Sequence, residues 1–250
     1  MRMFRIKICG ITTPDDALLA AEAGADAIGL NFYPPSPRWI TPDAAGEIVE
    51  RLRQDYSADQ VQVVAVFVNA SLDDILWTIR DANLYGPEQG LCLQIHGDEP
   101  PQFLAELLSQ GLGVTDSLLQ ATGHVPAVPV IRAFRCRNSD LREQREYLRN
   151  CQSLGCLPQA ALLDGFATDS YGGTGAALDW QALATRQDQL LNLPVVLAGG
   201  LNPANVAAAI AAARPDAVDV ASGVEYSPGK KDAAKVMAFV DAAKRTFAGR

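Results

Sequence analysis

Pro194-Val-Val-Leu-Ala-Gly-Gly-Leu-Asn-Pro-Ala-Asn-Val206 leads into an alanine-rich stretch cut by Arg214-Pro215, and Ala217-Val-Asp-Val-Ala-Ser-Gly-Val-Glu225 follows directly. The first apolar run, Pro194–Ala198, is short enough for a strand and is closed by two glycines. Asn202-Pro203 is a helix-start signal, with an N-cap side chain followed by a proline that needs no backbone donor. The stretch 203–213 therefore predicts a helix, and Ala217–Val220 a second strand. Strand, glycine turn, helix and strand in succession is the unit of a parallel α/β sheet.

The same rhythm extends back through the chain. Strands are expected at Arg5–Ile8, Ala27–Asn31, Gln62–Val68, Leu91–His96, Pro129–Ala133 and Ala160–Asp164, besides the two above. Helices are expected near 14–23, 41–54, 71–81, 101–110, 139–150, 180–190, 203–213 and 231–247. Thr13-Pro14, Thr41-Pro42 and Ser71 mark helix starts, and Gly24 and Gly111 suit helix ends. Eight such units in 250 residues match a single (β/α)8 TIM barrel spanning 1–250. The rival is a doubly wound open sheet. Even unit size and the lack of a composition break favour the barrel. The segments 55–60, 82–90, 111–128 and 151–159 read as surface excursions.

Composition limits what the chain does. Hydrophobic residues are 48% and charged residues 20%, which is globular composition. A net charge of −8 argues against nucleic acid as a partner. The N-terminus lacks the apolar run of a signal peptide, and no segment is long and apolar enough for a membrane span. The five cysteines are odd in number and show no CxxC spacing, so the expected setting is cytoplasmic and reduced. With two histidines and no ligand cluster, a structural zinc site is not expected.

Alternate residues of a barrel strand face the lumen. Ile6, Ile8, Ile28, Leu30, Leu93, Leu163 and Val218 should face the helices. Lys7, Cys9, Gly29, Asn31, Gln94, His96, Asp164 and Asp219 should face inward. Cys9, Asn31, His96 and Asp164 fall at strand ends, on the side where such barrels carry their active sites. Gly199-Gly200 and Ser222-Gly223 follow the last two strands, where phosphate is frequently bound. Gly172-Gly173-Thr174-Gly175 lies in a long loop that suits a lid.

Lys7-Ile-Cys-Gly-Ile-Thr12, Gly24-Ala-Asp-Ala-Ile-Gly-Leu-Asn-Phe32, Ser36-Pro-Arg38, Gln94-Ile-His-Gly97, Leu163-Asp164, Gly172-Gly-Thr-Gly-Ala-Ala-Leu-Asp-Trp180, Leu197–Val206, Val218–Glu225 and Pro228-Gly-Lys-Lys-Asp232 occur in that order. Together they resemble the phosphoribosylanthranilate isomerase family, metal-free barrel enzymes of tryptophan biosynthesis. The chain is longer than typical members, and Leu178 stands where the family usually has Phe. The resemblance implies an Amadori rearrangement of N-(5-phosphoribosyl)anthranilate to 1-(2-carboxyphenylamino)-1-deoxyribulose 5-phosphate. It implies Asp164 as general acid and Cys9 as general base. It also implies Arg38 against the anthranilate carboxylate, His96 positioning substrate, and Asp219 at a ribose hydroxyl. Gly199, Gly200, Ser222 and Gly223 would hold phosphate. The partner would be a small phosphorylated molecule, with monomer or homodimer left open.

Plainer readings stand beside these. Cys92, Cys136, Cys151 and Cys156 read as small buried hydrophobes. His124 reads as a surface residue. The run from Arg132 to Arg149, balanced by Asp140, Glu143 and Glu146, reads as a solvated helix face. Lys7 could form a Schiff base in an aldolase, though a lumen ion pair suits its depth better. Indole-glycerol-phosphate synthase, a histidine-pathway aminoaldose isomerase and a non-catalytic phosphate-binding barrel complete the alternatives. For Cys9 to act as a base, its pKa must fall, or the thiolate must form only with substrate bound.

Overall fold

The computed structural model describes residues 3–85, 89–109, 128–136, 140–165, 179–184 and 187–250. Gly111, His124, the lid segment Gly172–Gly175, Leu178 and most of the excursion at 111–128 lie outside the described residues.

The elements are β1 (Ile6–Cys9), α1 (Pro14–Ala23), β2 (Ala27–Asn31), α2 (Pro42–Asp55), β3 (Gln62–Phe67), α3 (Leu72–Asp81), β4 (Leu91–Ile95) and α4 (Pro101–Ser109). There follow β5 (Val130–Cys136), α5 (Arg142–Ser153), β6 (Ala160–Gly165), α6 (Trp180–Ala184), β7 (Val195–Leu197), α7 (Val206–Ala213), β8 (Ala217–Val220), β9 (Glu225–Ser227), β10 (Lys230–Lys231) and α8 (Ala233–Ala248). Strands β1 to β8 pair in parallel and in sequence order, and β8 pairs back onto β1 to close a TIM barrel.

Local chemistry sets several boundaries. Thr13, Thr41 and Ser71 each accept a bond from the amide three residues on, at 3.2, 3.2 and 3.1 Å. Each such cap stabilises its helix by ~1 kcal/mol. Gly24 ends α1 in the left-handed conformation.

Other boundaries moved. Helix α7 starts at Val206 rather than 203, because two asparagines hold the preceding turn. The Asn202 side chain accepts from Ala204 N at 2.9 Å, and that of Asn205 from Asn202 N at 2.8 Å. The helix expected near 180–190 is α6 plus a separate 3-10 turn at Gln187–Leu190. Strand β5 runs on to Cys136, so Phe134–Cys136 is strand rather than loop. Lys230–Lys231 is paired with Glu225–Ser227 in an antiparallel hairpin, which delays α8 to Ala233.

The strand alternation divides the core in two. Ile6, Ile8, Leu30, Leu93, Leu163 and Val218 belong to a large apolar layer between strands and helices. Val64, Val66, Cys92, Ile131, Leu162 and Val196 belong to a smaller one that fills the lumen. Arg132 corrects the expectation of a solvated helix face. It is a buried strand residue on the outer side, whose guanidinium donates to the carbonyls of Ile95, Gly97 and Ala133 at 2.8, 2.9 and 2.9 Å. It also lies over the rings of Phe134 and Tyr147. No described helix is long and apolar enough to cross a membrane.

Candidate active site

Above the apolar lumen, the inward residues become polar. Lys7 and Asp219 face each other in register on β1 and β8, and their side chains form a 3.1 Å ion pair. Lys7 is completely buried. Burial works against its charge, but the Asp219 carboxylate opposes it, and the Lys7 pKa lies above the ordinary lysine value. A lysine held charged is a poor Schiff-base nucleophile, so the lumen ion pair is the reading that stands.

Lys7 also sets a chain of hydrogen bonds across the barrel. Its ammonium donates to Gln94 Oε1 at 2.9 Å. An ammonium has no acceptor, so the amide oxygen must face it. The Gln94 Nε2 amide then faces His96 Nδ1, 2.9 Å away, as donor. His96 Nδ1 is therefore the acceptor of the neutral ring, and its proton sits on Nε2. That nitrogen faces Asp164 Oδ2 at 3.4 Å. Lys7, Gln94 and His96 are thus hydrogen-bonded in one line that points at Asp164, with no hydrogen bond closing the last gap.

Cys9 lies above Lys7 at the end of β1 and opposite Gly29 of β2. A Cβ at Gly29 would stand 2.6 Å from Cys9 Sγ, so only glycine leaves the thiol its place. Burial raises the Cys9 pKa, against the opposing pull of Lys7 and Lys231. Cys9 in the substrate-free protein is therefore a thiol. Desolvation thus works against a depressed thiol pKa in the substrate-free protein.

Arg38 is reached through an ordered loop. Asn31 Nδ2 donates to Ser36 Oγ at 3.2 Å, and Ser36 Oγ accepts from Arg38 N at 3.1 Å. The guanidinium donates through Nε and Nη2 to both oxygens of Glu225, at 2.8 and 2.7 Å. Lys231 Nζ donates to the same carboxylate at 2.8 Å and to the carbonyl of Cys9 at 2.6 Å. Burial opposes ionisation of Glu225, but the bonds from Arg38 and Lys231 prevail and keep its carboxyl below the usual carboxylate range. Neither Glu225 nor Lys231 was among the candidate residues, although both stand in segments that carry the family resemblance. Their pairing with Arg38 spans 187 residues and has no local signal.

The glycine segments complete the mouth. Gly199 and Gly200 adopt φ of 85° and 66°, conformations suited to glycine. Asn205 Nδ2 donates to the Gly200 carbonyl at 2.9 Å and fixes the turn. Ser222–Val224 forms one 3-10 turn after β8. Cys9, Arg38, His96, Asp164, Gly199, Gly200, Asp219 and Ser222 line one cavity at the mouth of the barrel. Gly223 adjoins this lining at Ser222. Arg38 and Lys231 set two cationic groups beside Glu225 at this corner.

Known proteins match the chain along its length. The model of the family described as N-(5'phosphoribosyl)anthranilate (PRA) isomerase matches residues 6–124 and 119–242. An N-(5'-phosphoribosyl)anthranilate isomerase of Myxococcus xanthus is 42% identical, with 96% of each chain covered. One of Geobacter sp. (strain M21) is 40% identical, covering 97% of this chain and 99% of the relative. The crystal structure of the phosphoribosyl anthranilate isomerase of Thermotoga maritima superposes with a TM-score of 0.75 at 35% identity, covering 97% of this chain and all (100%) of that one. A phosphoribosyl anthranilate isomerase in complex with reduced 1-(o-carboxyphenylamino)-1-deoxyribulose 5-phosphate superposes at 0.72 and 34% identity, with 97% and 100% covered.

Proposed function

The chain belongs to the N-(5'-phosphoribosyl)anthranilate isomerase family, and from that premise we propose how the residues of the barrel mouth divide its reaction. The reaction itself is the isomerisation of N-(5'-phosphoribosyl)anthranilate, a step of tryptophan biosynthesis.

Asp164 is the general acid and Cys9 the general base. Asp164 protonates the furanose oxygen while the anilino nitrogen pushes its lone pair toward carbon one. The carbon–oxygen bond breaks, and a protonated Schiff base forms. Cys9 then takes the proton from carbon two, and the electron pair flows to nitrogen to give an enolamine. Tautomerisation of the enolamine yields the ketone, with no net redox change. The observation that carries this assignment is the convergence of a thiol and a carboxyl from β1 and β6 on one cavity. Because burial keeps Cys9 protonated in the free protein, the thiolate forms within the substrate complex.

Arg38 receives the anthranilate carboxylate, since a guanidinium meets a planar carboxylate along a two-donor edge. His96, as the Nε2–H tautomer, is a donor at the reacting end, and Asp219 receives a ribose hydroxyl. Gly199, Gly200, Ser222 and Gly223 take the phosphate. The substrate is small and phosphorylated.

The test follows the fluorescence of the substrate as purified protein is added to condensed anthranilate and ribose 5-phosphate. Rapid loss with the wild type, and collapse by roughly 10²–10⁴ in Cys9→Ser and Asp164→Asn, is expected of an acid–base pair. Variants that retain wild-type rates would remove those two residues from the chemistry.

A further inference from the structure

The segments Ser222-Gly-Val-Glu225 and Pro228-Gly-Lys-Lys231 carry two buried charges that the acid–base assignment leaves without a role. Both sit in the β9–β10 hairpin, which folds back over the end of β1. Thr12 Oγ1 donates to the Gly229 carbonyl at 2.5 Å, and Lys235 Nζ to the Glu225 carbonyl at 2.7 Å. The hairpin is thus tied to the first βα loop on one side and to α8 on the other.

The Lys231 side chain is fully buried, and its ammonium spreads its protons over three acceptors. They are the carbonyls of Cys9 and Ala221, at 2.6 and 3.4 Å, and Glu225 Oε1 at 2.8 Å. Glu225, with only 4% of its side chain exposed, passes the link to Arg38. One ammonium therefore joins the backbone of the thiol-bearing residue, the start of the Ser222–Gly223 turn and the grip on Arg38.

A guanidinium has two usable edges. Glu225 takes the Nε/Nη2 edge, which leaves the Nη1/Nη2 edge of a residue that lines the cavity. Gly10 completes the seat. It adopts φ of 73°, and a Cβ there would collide with the Arg38 side chain. An arginine on a free stem would have many rotamers to lose on binding. This one is held before the ligand arrives.

We propose that Glu225 and Lys231 are positioning residues for substrate recognition. Glu225 grips one edge of Arg38 so that the other edge meets the substrate's carboxylate, and Lys231 fixes that grip to the backbone of Cys9. The proposal rests on Arg38 as the carboxylate reader.

The experiment is calorimetric and independent of turnover. Binding of reduced 1-(o-carboxyphenylamino)-1-deoxyribulose 5-phosphate is compared with that of the same compound lacking the ring carboxylate. The ratio of the two affinities reports carboxylate recognition alone. In Glu225→Gln the ratio falls at least tenfold, while the carboxylate-free compound binds as it does to the wild type. An equal loss for both compounds, or no loss, overturns the proposal. Should Glu225→Gln not fold, Glu225→Asp, which draws the charge back by one methylene, is read in the same way. Lys231→Met is expected to lower the ratio as well, and an unchanged ratio removes Lys231 from the proposal. Arg38→Met separates the two levels. If the ratio survives Arg38→Met, the role of Arg38 itself fails. If it collapses there but survives Glu225→Gln, only the positioning proposal fails.

Discussion

Leu163 and Asp164 are adjacent in β6, and their side chains meet opposite worlds. Leu163 joins the apolar layer packed beneath the helices. Asp164 stands beside His96 at the head of a polar line that runs through Gln94 and Lys7 to Asp219. The outer face of the strands is broad and dominated by aliphatic side chains, so it tolerates changes of shape that preserve volume. The inner face joins small apolar residues below to hydrogen-bonded ions above, and each ion there depends on the next. Period-two alternation lets eight strands serve packing and chemistry at once, with little trade between them.

Adjacent substitutions should break this separation if it is false. Asp164→Asn should lower kcat/KM by roughly 10²–10⁴, with the unfolding midpoint nearly unchanged. Leu163→Ala should do the reverse, costing about 2–5 kcal/mol in urea unfolding while the folded fraction keeps its kinetics. Loss of activity per folded molecule in Leu163→Ala would mean that the outer layer also shapes the site.

Lys7 is where the inner face is most exposed to damage. Lys7→Met removes the ammonium and leaves buried Asp219 and the Gln94 oxygen without their donor. A loss of about 3–5 kcal/mol is expected on chemical denaturation. A neutral result would mean that the lumen is wetter than its burial indicates.

The thiols compare the dryness of the two faces. Burial pushes Cys92, inside, up to about 12 against the pull of Lys7, and pushes Cys136, outside, up to about 12 with help from the Asp164 and Glu143 charges. An unfolded thiol ionises near its ordinary value, whereas these hold their protons. Stability is therefore complete below the ordinary thiol range and is lost as pH rises toward 12. Urea titrations between pH 8 and pH 11 (from about 0.5 unit below to about 2.5 units above the ordinary thiol value) should show that decline. Cys92→Ala and Cys136→Ala should blunt it to similar degrees. A decline blunted by only one of them would mark the other face as the wetter. The smallest expected effect is at a helix cap. Thr13→Ala should cost ~1 kcal/mol and leave kinetics unchanged, because its cap is local.

What was legible in the sequence follows the range of the interaction. Thr13, Thr41 and Ser71 were readable because an N-cap is satisfied within three residues. The inward positions of Lys7, Gln94 and Asp219 were readable because alternation is local and the barrel closure fixes its sense. The hairpin was not. Two residues of β10 are too short for a period, and Lys230-Lys231 before an apolar run looks like a helix start. The helix near 203 starts later because the Asn202 side chain accepts from Ala204 N and the Asn205 side chain from Asn202 N, which holds 202–205 as a turn. Arg132 was misread because a buried arginine is written in the same letters as an exposed one, and only carbonyls from β4 and the segment after it reveal its depth. The Arg38–Glu225–Lys231 cluster joins three segments whose pairing no window of sequence contains.

The bond from Lys231 to the Cys9 carbonyl spans 222 residues, and that from Lys7 to Asp219 spans 212. Contacts of such separation form late, since the intervening chain must be closed before they bring any gain. During synthesis, a chain extended only through α7 already contains Cys9, Arg38, His96 and Asp164. It lacks the ammonium and carboxylate that hold two of them in place, and it lacks the strand that seals the barrel. Catalytic competence therefore arrives with the last elements rather than accumulating as the chain grows. A product released after α7 would carry Cys9 and Asp164 without the strand, the ammonium and the carboxylate that complete their surroundings.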